Sequence, residues 1–149
     1  MRKKINSSGF TLIELLIVII IIGILAAIAF VAYSGATNKA HKAAAQSTLA
    51  EVKNKLGEYY TDNNSYPATI ADVNNWLASS AGGNNTTMSN DFTAAAGFTY
   101  AVTPTGCGDT VASGGAITTG ATACSGYSLT AAATIWGDSN AADNITVTN

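Results

Sequence analysis

The sequence is poor in charge, in histidine and in cysteine, and each shortage removes a class of function. Charged residues make up 11% of the 149 positions, less than half of the usual share of about a quarter. Seven Lys and Arg stand against nine Asp and Glu, giving a formal charge of -2. That balance supplies no basic surface, so DNA binding, though conceivable, draws no support from charge. It also lacks the self-repulsion that keeps a polyelectrolyte chain unfolded. The single histidine, His41, sits beside Lys42 on a polar helical turn without His or Cys partners for a metal, and reads as a solvated residue. No Ser/His/Asp set, phosphate loop or paired-carboxylate motif stands out, so neither an enzyme nor a cofactor is expected. The length allows one domain with appendages.

What is present is unevenly placed. No charged residue occurs between Glu14 and Lys39, and the run from Phe10 to about Ala32 is apolar. As a helix it would extend about 34 Å, enough to cross a hydrocarbon core of about 30 Å. Arg2, Lys3 and Lys4 precede it and should stay in the cytoplasm, placing the rest of the chain outside. A cleaved secretory signal is the plain rival. Its apolar core spans only about 7 to 15 residues, whereas this run is longer, contains Glu14 and continues into more helix.

Gly9-Phe10-Thr11-Leu12-Ile13-Glu14-Leu15-Leu16-Ile17-Val18, continued by Ile22-Gly23-Ile24-Leu25-Ala26-Ala27-Ile28-Ala29, resembles the leader junction and first helix of type IV pilins. The resemblance implies that a prepilin peptidase cuts between Gly9 and Phe10 on the cytoplasmic side and methylates the new amino terminus. It implies inner-membrane assembly machinery as a further partner. The basic leader would be lost while the apolar helix is kept. The product keeps four lysines against nine acids, a side-chain charge of -5.

A carboxylate within a membrane is costly, by several kcal/mol near its centre, so Glu14 should not be idle there. The resemblance implies that it pairs with the amino group of Phe10 on a neighbouring subunit during assembly. The i,i+4 spacing also allows a pair within one chain. A position one turn from the helix start would alternatively let Glu14 merely reach the interface. Many family members carry a kinking proline about where this chain has Val31, and its absence removes the usual cause of a kink.

Beyond the apolar run, Ala45, Leu49, Val52, Leu56 and Tyr59 recur at spacings of 4, 3, 4 and 3, the mark of an amphipathic helix. Turn formers from Thr61 to Pro67 should end it. Thr69 and Asp72 have the spacing of a capping box before a short helix from about Ile70 to Ser79. Asn84 to Asn90 reads as loop. Phe98–Val102, Tyr127–Ala131 and Ile145–Val147 alternate as strands. They should pair antiparallel and cover the helical stripe.

The expected fold is therefore α+β, with a long protruding amino-terminal helix whose later half packs on a small antiparallel sheet. Its divisions are a leader at 1–9, a transmembrane and filament-core helix at 10–35, an amphipathic half at 36–60 and a head at 61–149. Cys107 and Cys124, the only cysteines, lie in a segment that should be extracellular, and a disulfide between them is expected. Asp138, Asn140 and Asp143 gather oxygen ligands and are candidates for calcium, although Asp/Asn clusters are ordinary turn chemistry and the spacing is not that of an EF-hand. Asn-x-Ser/Thr patterns, among them those at Asn84, Asn85 and Asn144, fall in a chain rich in both residue types.

These features point to a structural role: the major pilin of a type IV pilus, first in the cytoplasmic membrane and then in an extracellular homo-oligomeric filament. By the resemblance to type IV pilins, attachment, twitching motility or DNA uptake would be its service. A pseudopilin of a type II secretion or competence system is the alternative, and a membrane-anchored binding module a third.

Overall fold

The computed structural model describes residues 10–149. The predicted leader, including Arg2, Lys3, Lys4 and Gly9, lies outside the described residues. The chain divides into two compact units, Met1–Thr37 and Asn38–Asn149.

The described part of the first unit is the opening of helix α1 (Leu12–Asn63). Every large apolar side chain from Phe10 to Tyr33 is exposed, Phe10 at 84% and Leu12 at 89%. The helix is long and apolar enough to cross a membrane. Val31 lies within it, and the helix runs on through that position.

The second unit begins with the remainder of α1. Its buried positions are Ala45, Leu49, Val52, Leu56 and Tyr59, the stripe read from the 3.6-residue period. The helix runs three residues beyond Tyr60, to Asn63. Side chains supplement the backbone there: Thr61 Oγ1 donates to the Gly57 carbonyl at 2.9 Å and Asn63 Nδ2 to the Tyr59 carbonyl at 2.9 Å. Asn64 then takes a left-handed conformation at φ 53° and stops the helix.

Helix α2 (Ile70–Ala78) opens on the expected capping box, with Thr69 and Asp72 each accepting from the other's backbone N–H. The segment read as loop instead holds a short helix, α3 (Thr86–Asp91). Asn85 caps it by accepting from the Met88 N–H at 3.0 Å, and Met88 reaches the core. A single apolar residue in a polar stretch shows no periodicity, which is why the helix was hidden.

Three strands, β1 (Phe98–Thr103), β4 (Gly126–Ala131) and β5 (Ile145–Thr148), form an antiparallel sheet in the order β1-β4-β5. Tyr100 faces Leu129, which in turn faces Val147. Inward positions alternate with period two: Tyr127, Leu129 and Ala131 are buried while Gly126, Ser128 and Thr130 are less so. This face joins the α1 stripe, Trp76, Leu77 and Phe92 in one core. A second, two-stranded sheet of β2 (Thr110–Val111) and β3 (Ile117–Thr118) lies inside the long β1–β4 connection. Strands of two residues carry no alternation to read.

The core is rich in tyrosine. Tyr60 stacks on Tyr66 at 4.7 Å between centroids, and Tyr66 meets Tyr127 edge-on at 4.8 Å. Burial, and then the Asp109 carboxylate, hold the Tyr59 hydroxyl well above the usual tyrosine range. Burial does the same for Tyr100 and pushes Tyr127 up to about 12. An acid whose folded pKa is raised leaves stability intact below its unfolded value of about 10. That stability drains away as pH climbs from there. The head should thus unfold cooperatively above about pH 10, with tyrosinate absorbance rising together with loss of circular dichroism. Full ionisation of these tyrosines without unfolding would refute this linkage.

Candidate functional site

The amino-terminal end is built around Thr11 and Glu14. Thr11 precedes the first helical residue, and its backbone N–H and hydroxyl donate to Glu14 Oε2 at 2.8 and 2.7 Å. The Glu14 N–H returns a bond to Thr11 Oγ1 at 3.3 Å, completing a capping box. Within one chain, then, Glu14 is engaged by Thr11 and serves the helix start. Phe10 stands beside it, exposed. The i,i+4 spacing allows Phe10 as a partner within the chain; the bonds found there come from Thr11, and the Thr-x-x-Glu pattern that makes them is legible in the sequence.

In the head, Cys107 and Cys124 form a disulfide and are both buried. The segment they bound is fixed to the chain that follows α1. The Ala68 N–H donates to the Asp109 carbonyl at 2.8 Å, and the Asp109 N–H donates to the Tyr66 carbonyl at 3.0 Å. The buried Asp109 carboxylate accepts from the Tyr59 hydroxyl at 3.1 Å and the Gly120 N–H at 3.0 Å. Asp72 uses its other oxygen, Oδ1, to accept from the Val111 N–H at 2.7 Å, tying α2 to β2. Ser65 Oγ accepts from the Cys124 N–H at 3.2 Å. Gly120 lies so close to Gly108 that a Cβ on it would collide with the Gly108 carbonyl. Sequence reading missed Asp109 and Ser65 because their partners are distant in the chain and no local pattern marks them.

The calcium candidates make turn contacts. Asp138 Oδ1 accepts from the Asn140 N–H at 2.9 Å, and Asn140 Oδ1 accepts from the Ala142 N–H at 3.1 Å. Asp143 closes the short 3-10 turn Ala141–Asp143. Among the described residues no group of three or more His, Cys, Asp or Glu is placed to hold a metal ion. The Asn85 and Asn144 side-chain oxygens are likewise engaged by backbone N–H groups, of Met88 and Ala133.

An open groove of about 420 Å³ runs beside the start of this unit, lined by Asn38, Lys39, Lys42, Trp136, Asp138 and Ser139. The Lys42 ammonium lies over the Trp136 ring, 5.3 Å from its centroid. Nothing in the local sequence joins Lys42 to Trp136.

The exposed apolar helix with Glu14 at its start, followed by a helix-on-sheet head, defines a type IV pilin rather than an enzyme. Residues 4–30 accordingly match the family model described as prokaryotic N-terminal methylation motif. Such a chain is a cytoplasmic-membrane precursor that passes into a surface pilus, with prepilin peptidase as its processing partner. Residues 32–114 match the model described as type IV minor pilin ComP, DNA uptake sequence receptor; this is more than half of the chain, and the chain belongs to that family. Neither the curated proteins nor the solved structures yield a match. The family corrects the expectation of a major pilin, because its members are described as minor pilins. An apolar first helix equips a subunit to polymerise but says nothing of its abundance, so the sequence pattern could not separate the two.

Proposed function

We propose that this chain is a minor pilin whose head captures DNA during natural transformation. The family match over residues 32–114 carries this reading, since it covers the second half of α1, α2, α3, β1 and the first half of the disulfide-bounded segment. DNA uptake thus replaces attachment and twitching as the service rendered.

Three features support assembly into a pilus. The first helix is apolar and exposed, Gly9-Phe10 stands just before it as the expected cleavage junction, and Glu14 follows four residues after Phe10. Cleavage there would create a cationic amine at Phe10, and we assign its partner to Glu14 of a neighbouring subunit.

The low charge shapes how DNA would be held. Four lysines remain after residue 9, Lys39, Lys42, Lys53 and Lys55. A logarithmic salt slope no steeper than about -4 follows if each meets one phosphate. Affinity must then lean on hydrogen bonds from polar loops, and those also discriminate bases.

Cells lacking this chain should still raise pili and lose DNA uptake. The full-length protein in neutral detergent should prefer chromosomal DNA of its own source over foreign DNA by more than about tenfold. Disappearance of the pili on deletion, or equal binding of both DNAs, would overturn the reading.

A further inference from the structure

Resting on the DNA-receptor reading, we propose that the groove formed by Lys39, Lys42 and Trp136 grips the sugar-phosphate backbone of the bound DNA. The argument begins from scarcity. Phosphate contacts dominate protein–DNA affinity and come chiefly from Lys and Arg. The described residues offer four such side chains. Lys55 is bound by Glu58 at 2.7 Å. Lys53 stands exposed two residues from Glu51 and does not line the groove that holds Lys39 and Lys42. Lys39 and Lys42 are a helical turn apart, line one groove and form no ion pair among the described residues.

The rest of the groove suits a phosphodiester. Trp136 is 5% exposed and lies beneath the Lys42 ammonium. It cannot serve as a stacking platform for a base, and instead restrains a long side chain whose rotamer freedom would otherwise be lost on binding. Asn38 and Ser139 add neutral hydrogen-bonding groups on facing walls. A volume of about 420 Å³ is in the range of small-ligand sites and accepts a stretch of sugar-phosphate, not a duplex. Asp138 is the opposing charge on the wall, and its Oδ1 is occupied by the Asn140 N–H. Phosphate contacts carry no sequence information, so base readout falls to other parts of the head.

The test uses full-length protein in neutral detergent micelles and fluorescently labelled, sheared chromosomal DNA from the source organism, titrated at several salt concentrations. The variant Lys39→Ala/Lys42→Ala should bind about tenfold more weakly at low salt, to source and foreign DNA alike, with the salt slope reduced by about 2. Asp138→Asn keeps the acceptor for Asn140 while removing the charge, and should tighten binding severalfold. Lys53→Ala should change affinity by less than about twofold. If wild-type protein binds while the double variant matches it in affinity and slope, the groove assignment fails and the receptor reading survives. If wild-type protein binds no DNA even at low salt, the receptor reading fails and takes the groove with it.

Discussion

Glu14→Gln should abolish entry into pili while leaving the protein cleaved and in the membrane. The variant is informative because Gln satisfies the capping box as Glu does, accepting from Thr11 and keeping the helix start. What it removes is the negative charge. Were Glu14 only a cap, Gln would take its place and the 52-residue helix would form as before. Were it the partner of a neighbour's amino terminus in a water-poor filament core, the Gln variant would strand a buried cation at a cost of about 3–5 kcal/mol. The amount recovered in sheared pili should accordingly fall by on the order of a hundredfold or more. Immunoblots of membrane and sheared fractions separate the outcomes. Normal incorporation of Glu14→Gln together with failure of Glu14→Ala would mean that capping is the whole of its role.

The second large effect concerns the disulfide. Replacing Cys107 and Cys124 by Ser together frees a segment bounded 17 positions apart. Loop entropy assigns this closure about 3 kcal/mol. For a unit of this size the thermal midpoint should drop by about 10 °C or more. The loss would spread to Tyr59 and α2, because Asp109 and the Val111 N–H are held in register by the same segment. Both cysteines are nearly inaccessible, so reductant should act on folded protein only as fast as the head opens. A fall smaller than about 2 °C for the double variant would show that the hydrogen bonds alone position the segment.

Legibility in the sequence followed the physical range of each signal. The α1 stripe, the Thr69–Asp72 box and the three main strands come from short-range periodicity and capping, and their residues sit where those patterns place them. α3 escaped because one buried methionine among Asn, Ser and Thr makes no period. The β2–β3 pair escaped because two-residue strands cannot alternate. For the candidate sites the division is similar. Thr11 and Glu14 are three residues apart and could be seen together, whereas Lys42 and Trp136 meet only through the packing of α1 against the turn after β4. Net charge averages over the whole chain and cannot reveal two lysines gathered in one groove.

The β2–β3 hairpin also has a meaning for how this head can diversify. Its turn closes through Ala112 N–H to the Ala116 carbonyl and Gly115 N–H to the Ala112 carbonyl, at 2.9 and 2.8 Å. Gly115 abuts Ser79, where a Cβ would collide, but Gly114 faces open space. The hairpin is anchored behind its tip, by Asp72 and Asn75 on Val111 and by Asp109 on Gly120. Extra residues at Ser113–Gly114 would cost little, since doubling a flexible loop adds only about 0.6 kcal/mol of closure entropy. The tip is a place where lineages, or an engineer, can graft new surface chemistry onto an unchanged frame.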